Sequence, residues 1–205
     1  MKALALLLAL AAAASAQSQK GLFTGSTDIG KTEPGNDRYD PVTRSYYLTG
    51  GGADMWSTSD DFHLTWIRLS GDITITADIY PGEIGSTPLA KAVLIVRQSL
   101  APDSAYADVA IHRDGHVALQ WRENSGGLTR DSTAPRRFFN TLRLERKGDI
   151  FTAYAQGPKG RFDHPFASYR VPMTAEVYVG LGFCAHDEDG LATATFTNVK
   201  IDQPH

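Results

Sequence analysis

The chain of 205 residues contains a single cysteine, Cys184. That excludes an intrachain disulfide framework and any multi-cysteine zinc site. A basic excess is also missing: 20 Lys and Arg stand against 23 Asp and Glu, for a formal net charge of -3. Neutralising a phosphate backbone takes clustered cations, so nucleic acid is not an expected partner. No Asn-x-Ser/Thr sequon occurs, and no window carries a helical apolar stripe. Nor is there, after the first 16 residues, an apolar run long enough to cross a bilayer as a helix. What is present is ordinary for a globular chain: 42% hydrophobic and 21% charged residues, with 19 glycines that suit many turns.

The N-terminus reads as an address. Met1-Lys2 gives a short positive start, Ala3 to Ala14 is an unbroken run of Ala and Leu, and Ala14-Ser15-Ala16 is a small-x-small cleavage signal before Gln17. This pattern predicts a secretory signal peptide over residues 1–16 and one domain over residues 17–205, secreted or periplasmic, with no transmembrane segment after cleavage. No cysteine follows the cleavage point to take a lipid anchor. In an oxidising compartment an unpaired Cys184 is expected to be buried.

Residues 17–44 are polar and rich in Gly and Pro, and read as an irregular leader with one short strand. From Ser45 the period is two. Asp72 to Ile79 alternates polar and apolar without a fault, a half-buried strand. Further strands are predicted over 62–69, 91–97, 106–112, 116–122, 141–146, 150–156, 177–185 and 192–201, separated by turns such as Asp114-Gly115 and Asp189-Gly190. Many short strands at even spacing predict an all-β, two-sheet antiparallel sandwich.

Parity fixes one hairpin. The apolar sets Ala107, Val109, Ile111 and Val117, Leu119, Trp121 must share the core side, so Ile111 opposes Val117 and a three-residue loop, Arg113-Asp114-Gly115, closes the turn with Gly115 left-handed. The opposite side then pairs Tyr106 with Arg122, Asp108 with Gln120 and His112 with His116. In the last apolar strands Val177, Val179, Leu181 and Phe183 face inward, while Gly180 and Gly182 bare the other side to a close approach. One sheet face thus collects Arg97, Asp108, His112, Gln120, Arg122 and His186, a planar hydrogen-bonding surface of the kind sugars favour.

Several motifs carry a family likeness. Tyr46-Tyr47-Leu48-Thr49-Gly50-Gly51-Gly52-Ala53-Asp54-Met55-Trp56, Val96-Arg97-Gln98-Ser99-Leu100, Asp103-Ser104-Ala105-Tyr106-Ala107-Asp108-Val109, His112-Arg113-Asp114-Gly115 and Val179-Gly180-Leu181-Gly182-Phe183-Cys184-Ala185-His186-Asp187 together resemble the concanavalin A-like (laminin G/jelly-roll) domains of bacterial exported proteins, some of which are fused to TolB-type propellers. The resemblance spans about Phe23 to Ile201. It implies a jelly-roll sandwich and, by analogy at the level of fold, non-catalytic binding of a glycan or cell-envelope polysaccharide.

Two other functions stay open on the residues alone. One is a glycoside hydrolase using dispersed carboxylates, such as Asp108 with Glu123; the Glu-x-Asp-x-x-Glu run of that superfamily's hydrolases is absent. The other is an envelope module that binds a protein partner. No cofactor is assigned. His112 and His116 can start a metal site, but no third ligand is fixed. Calcium as a structural ion is kept open on Asp187-Glu188-Asp189-Gly190 and on Asp54, Asp60 and Asp61. Trp66 and Trp121 are expected in the core. Trp56, in a Gly-rich loop, either packs at the sandwich edge or stands exposed as a stacking platform. Arg97 is either a ligand clamp or the buried partner of Asp108.

Overall fold

The structure, a computed structural model, describes residues 20–82, 87–156 and 160–203. The signal-peptide reading of residues 1–16 lies outside them. Among the described residues there is no helix, and hence none long and apolar enough to cross a membrane.

Sixteen strands form in chain order among these residues: β1 (Gly25–Ile29), β2 (Asn36–Asp40), β3 (Ser45–Gly52), β4 (Met55–Trp56), β5 (Ser59–Asp60), β6 (Phe62–Ser70), β7 (Ile73–Tyr80), β8 (Lys91–Arg97), β9 (Tyr106–His112), β10 (Val117–Arg122), β11 (Arg130–Thr133), β12 (Thr141–Lys147), β13 (Ile150–Ala155), β14 (Ala167–Arg170), β15 (Glu176–Cys184) and β16 (Asp187–Asp202). They make two seven-stranded antiparallel sheets. The first runs β1-β6-β15-β8-β9-β10-β11 and the second β14-β13-β12-β7-β16-β3-β2, with β4-β5 as a separate ribbon. This is the expected all-β jelly-roll sandwich.

The inner faces meet in the main core. Ala107, Val109 and Ile111 of β9 and Val117, Leu119 and Trp121 of β10 enter it beside Val177, Val179, Leu181 and Phe183 of β15, against Ile73, Ile75, Leu142, Leu144 and Phe196 of the second sheet. Each fully buried Val, Leu, Ile or Phe side chain contributes roughly 1.5–3 kcal/mol. The predicted hairpin register holds: Ile111 pairs with Val117, Asp108 with Gln120 and Tyr106 with Arg122. Gly115 takes φ 83°, and its N–H donates to His112 O at 2.9 Å.

The structure differs from the strand expectation in the polar stretches. The supposed leader forms β1 and β2, which pair with β6 and β3, and Arg130–Thr133 and Ala167–Arg170 are also strands. All four lie at sheet edges, where few side chains need to face the core and the apolar signal fades.

The outward face of the first sheet is not open along its length. A second apolar cluster, with Ile29, Met55, Phe62, Leu64, Val93, Ile95, Tyr106, Ala110 and Cys184, lies on it. Every residue of β8, β9 and β10 is therefore buried. Trp66, expected in the main core, packs against this second cluster instead. Phe62 explains the bare glycine: its ring would lie 2.7 Å from a Cβ on Gly182.

Candidate functional site

The polar face read from parity divides into a sealed part and an open part. At one end, β8 and β10 place Arg97 and Arg122 on either side of Asp60, which ends β5. Arg97 Nη1 donates to Asp60 Oδ2 at 2.7 Å, and Arg122 Nη2 donates to Oδ1 at 2.7 Å. All three side chains are fully buried. The remaining guanidinium hydrogens go to main-chain carbonyls and, from Arg122, to the Thr129 hydroxyl. Arg97 reaches Ser99 O and Ala101 O, while Arg122 reaches Trp56 O, Ser57 O, Pro102 O, Ser104 O and Gly127 O. Arg122 also lies over the Tyr106 ring, 5.0 Å from its centroid. Buried guanidinium groups need carboxylate and carbonyl partners, and here the folded-over ribbon and loops supply them.

This corrects the expectation for three site residues. Arg97, Arg122 and Asp108 do not reach solvent, so none stands on an open ligand surface. The carboxylate partner of Arg97 is Asp60, not Asp108. Asp108 has no hydrogen-bond partner on either oxygen. Burial pushes its carboxyl well above the usual carboxylate range, although Lys91 pulls the other way. Its proposed catalytic companion, Glu123, instead accepts from Tyr169 Oη at 2.7 Å, beside the stacked Trp121 and Tyr169 rings on the core side.

At the other end the face opens into a depression of about 250 Å³, into which β4, β8, β9, β10 and β11 each contribute. Trp56, His112, Gln120 and His186 line it, so four of the seven sequence-predicted residues come together. Asp54, Lys91, His116 and Asp131 join them; parity had put His116 on this side, but none of the four was named as a ligand residue from the sequence. The signal for Lys91 was present, since it pairs with His112 in the β8–β9 register and shares parity with Arg97.

Trp56 lies in the ribbon that folds over the sheet and is 36% exposed, so it both sits at the sandwich edge and keeps surface in solvent. Lys91 Nζ lies 2.6 Å from Asp54 Oδ1, donates to Met55 O at 3.3 Å, and sits 5.9 Å from the Trp56 ring centroid. His186 Nε2 is 3.3 Å from the other oxygen of Asp54. Asp54 thus holds two walls together. His112 Nδ1 lies 3.1 Å from Leu89 O, and the two paired histidines meet edge to face, 5.3 Å between ring centres. Burial, with Lys91 next, lowers His112 to about 4, so its ring is neutral at pH 7.

The acidic groups weighed as calcium ligands are engaged separately. Asp60 holds the arginines, Asp54 holds Lys91, and Asp61 accepts from Lys31 N at 2.6 Å. Asp187 accepts from Asp189 N at 3.1 Å in its own turn. Among the described residues no three His, Cys, Asp or Glu side chains gather as a metal site.

No protein-family model matches this chain, and no curated protein does. Solved structures do resemble it. A functionally unknown protein from Saccharomyces cerevisiae aligns at TM-score 0.62 and 19% identity, covering 88% of this chain and 97% of that one. The carbohydrate binding module CBM66 from Bacillus subtilis aligns at TM-score 0.57 and 20% identity over 89% and 98% of the two chains. A Bacillus licheniformis β-glucanase follows at TM-score 0.51 and 9% identity over 91% and 97%. At such identities the likeness is one of fold: two antiparallel sheets packed as a jelly-roll sandwich.

Proposed function

We propose that the protein is an exported, non-catalytic glycan-binding sandwich whose ligand site is the depression between Trp56, His112, Gln120 and His186. The observation that carries this reading is that the exposed Trp56 lines one open depression together with amide, imidazole and carboxylate groups. An aromatic face takes the apolar side of a sugar ring, and planar polar groups take its hydroxyls. The likeness in fold to a carbohydrate binding module agrees with it. Export rests on the pattern of residues 1–16, and kinship with the exported domains sometimes joined to TolB-type propellers rests on the motifs.

Binding is favoured over bond cleavage by the state of the carboxylates. Hydrolysis takes two carboxyl groups flanking the scissile bond, one of them protonated. Asp108 has the raised carboxyl but is sealed, and Asp54 is tied to Lys91 and His186.

A glycan array probed with the protein and with Trp56→Ala tests the reading. The wild type is expected to bind at least one glycan class, and the variant to bind it about tenfold or more weakly, as for an aromatic anchor. A wild type that binds no glycan overturns the reading.

A further inference from the structure

The depression offers a ligand several hydrogen-bond acceptors. Gln120 is 3% exposed, and its Oε1 is buried with no hydrogen-bond partner. A buried amide oxygen left so is short of a donor. His112 gives a second acceptor. Its Nδ1 faces the carbonyl of Leu89, which can only accept, so Nδ1 carries the ring's one proton and Nε2 keeps a bare lone pair. Asp54 and Asp131 add carboxylate oxygens on the walls.

Positive charge is scarce by comparison. Lys91 is the one Lys or Arg among the residues lining the depression. Its ammonium is committed to Asp54 and Met55 O, and it is 2% exposed on its side chain. An incoming anion therefore meets carboxylates without a cation free to pair with it.

On the glycan reading above, we propose that this depression selects uncharged, polyhydroxylated sugars and rejects acidic ones. Sugar hydroxyls donate to His112 Nε2 and to the carboxylates of Asp54 and Asp131, and bond the Gln120 amide. A uronate or sulfate brings further acceptors and a like charge into a partly buried place, where repulsion is weakly screened.

The test is affinity electrophoresis at pH 8, where a histidine of ordinary pKa is neutral. The gels contain dextran, galactomannan or β-glucan on one side and alginate or polygalacturonate on the other. Retention by at least one neutral polymer, without retention by the acidic ones, is the expected result. Gln120→Leu is expected to fold with unchanged or higher stability, because an unpartnered buried oxygen is removed. It should nevertheless bind the neutral polymer about tenfold more weakly, the loss of one well-placed hydrogen bond. Retention by alginate or polygalacturonate as strong as by the neutral polymers overturns the selectivity and leaves the glycan reading standing. So does a Gln120→Leu protein that keeps wild-type affinity. If no polymer retains the wild type, the glycan reading itself falls, and the selectivity with it.

Discussion

Among the described residues Asp60 is the one carboxylate that contacts the fully buried guanidinium groups of both Arg97 and Arg122. Breaking a buried ion pair by removing one partner leaves charge without solvent or counter-charge, which costs about 3–5 kcal/mol. Asp60→Asn keeps the shape and removes the charge. Its free energy of unfolding in urea is expected to drop by about that amount, and a drop below about 1 kcal/mol would show that the arginines are satisfied by carbonyls alone. Cys184 presents the opposite case, a residue whose isolation is harmless. Its thiol donates to Gly52 O at 3.3 Å, and burial pushes its pKa up to about 12. The thiolate is the reactive species. A thiol reagent at pH 8 should leave the folded protein unmodified and react fully after denaturation; rapid reaction of the native protein would contradict this burial.

Strand by strand, legibility tracked the core. β8 and β9 have the predicted limits, and the β9–β10 register follows from the alternation of Val109, Ile111, Val117 and Leu119, because a one-residue slip would turn all of them outward. The polar strands Asn36–Asp40 and Arg130–Thr133 escaped notice because edge strands have little apolar pattern to show. The site was half legible for a related reason. Parity puts Arg97, Asp108, His112, Gln120 and Arg122 on one side of a sheet, but it says nothing about whether another segment lies on that side. The ribbon Met55–Asp60 does, and its length of six residues carries no period that announces where it will fold. The Gly180 and Gly182 pattern pointed to a close approach on that side, but the space over Gly182 is filled by Phe62 of the neighbouring strand β6, not by the ribbon. A Cβ on Gly182 would also lie 2.8 Å from Val93, so Gly182→Val is expected to destabilise by about 1–3 kcal/mol through overpacking. A thermal melt within 1 °C of wild type, against the several degrees that a change of about 1 kcal/mol brings, would refute it.

The two sheets are also joined electrostatically at one edge. His63 of β6 lies 2.7 Å from Asp28 of β1 through Nδ1, and its Nε2 is 3.8 Å from Asp37 of β2 in the opposite sheet, an ion-pair separation rather than a hydrogen bond. Burial pulls the imidazole down, but Asp37 and Asp28 outweigh it and leave its pKa above 6.5. A base whose folded pKa is raised binds its proton more tightly in the native state. Its contribution is complete below the unfolded value, near 6.5, and is lost as pH rises through the folded one. Stability should thus decline with pH above about 6.5, and His63→Gln should flatten that decline in melts recorded across the range. An identical slope in both proteins would remove His63 from the account.

The arginine cluster has one more consequence. Apart from Asp60 and the Thr129 hydroxyl, the atoms that Arg97 and Arg122 grip are peptide oxygens, including that of Trp56. Peptide oxygens survive any substitution of the residues that own them. The rim can therefore be re-lettered at Trp56 or Ser99 while its path stays tethered, which makes this end of the sandwich a ready place to graft new recognition loops.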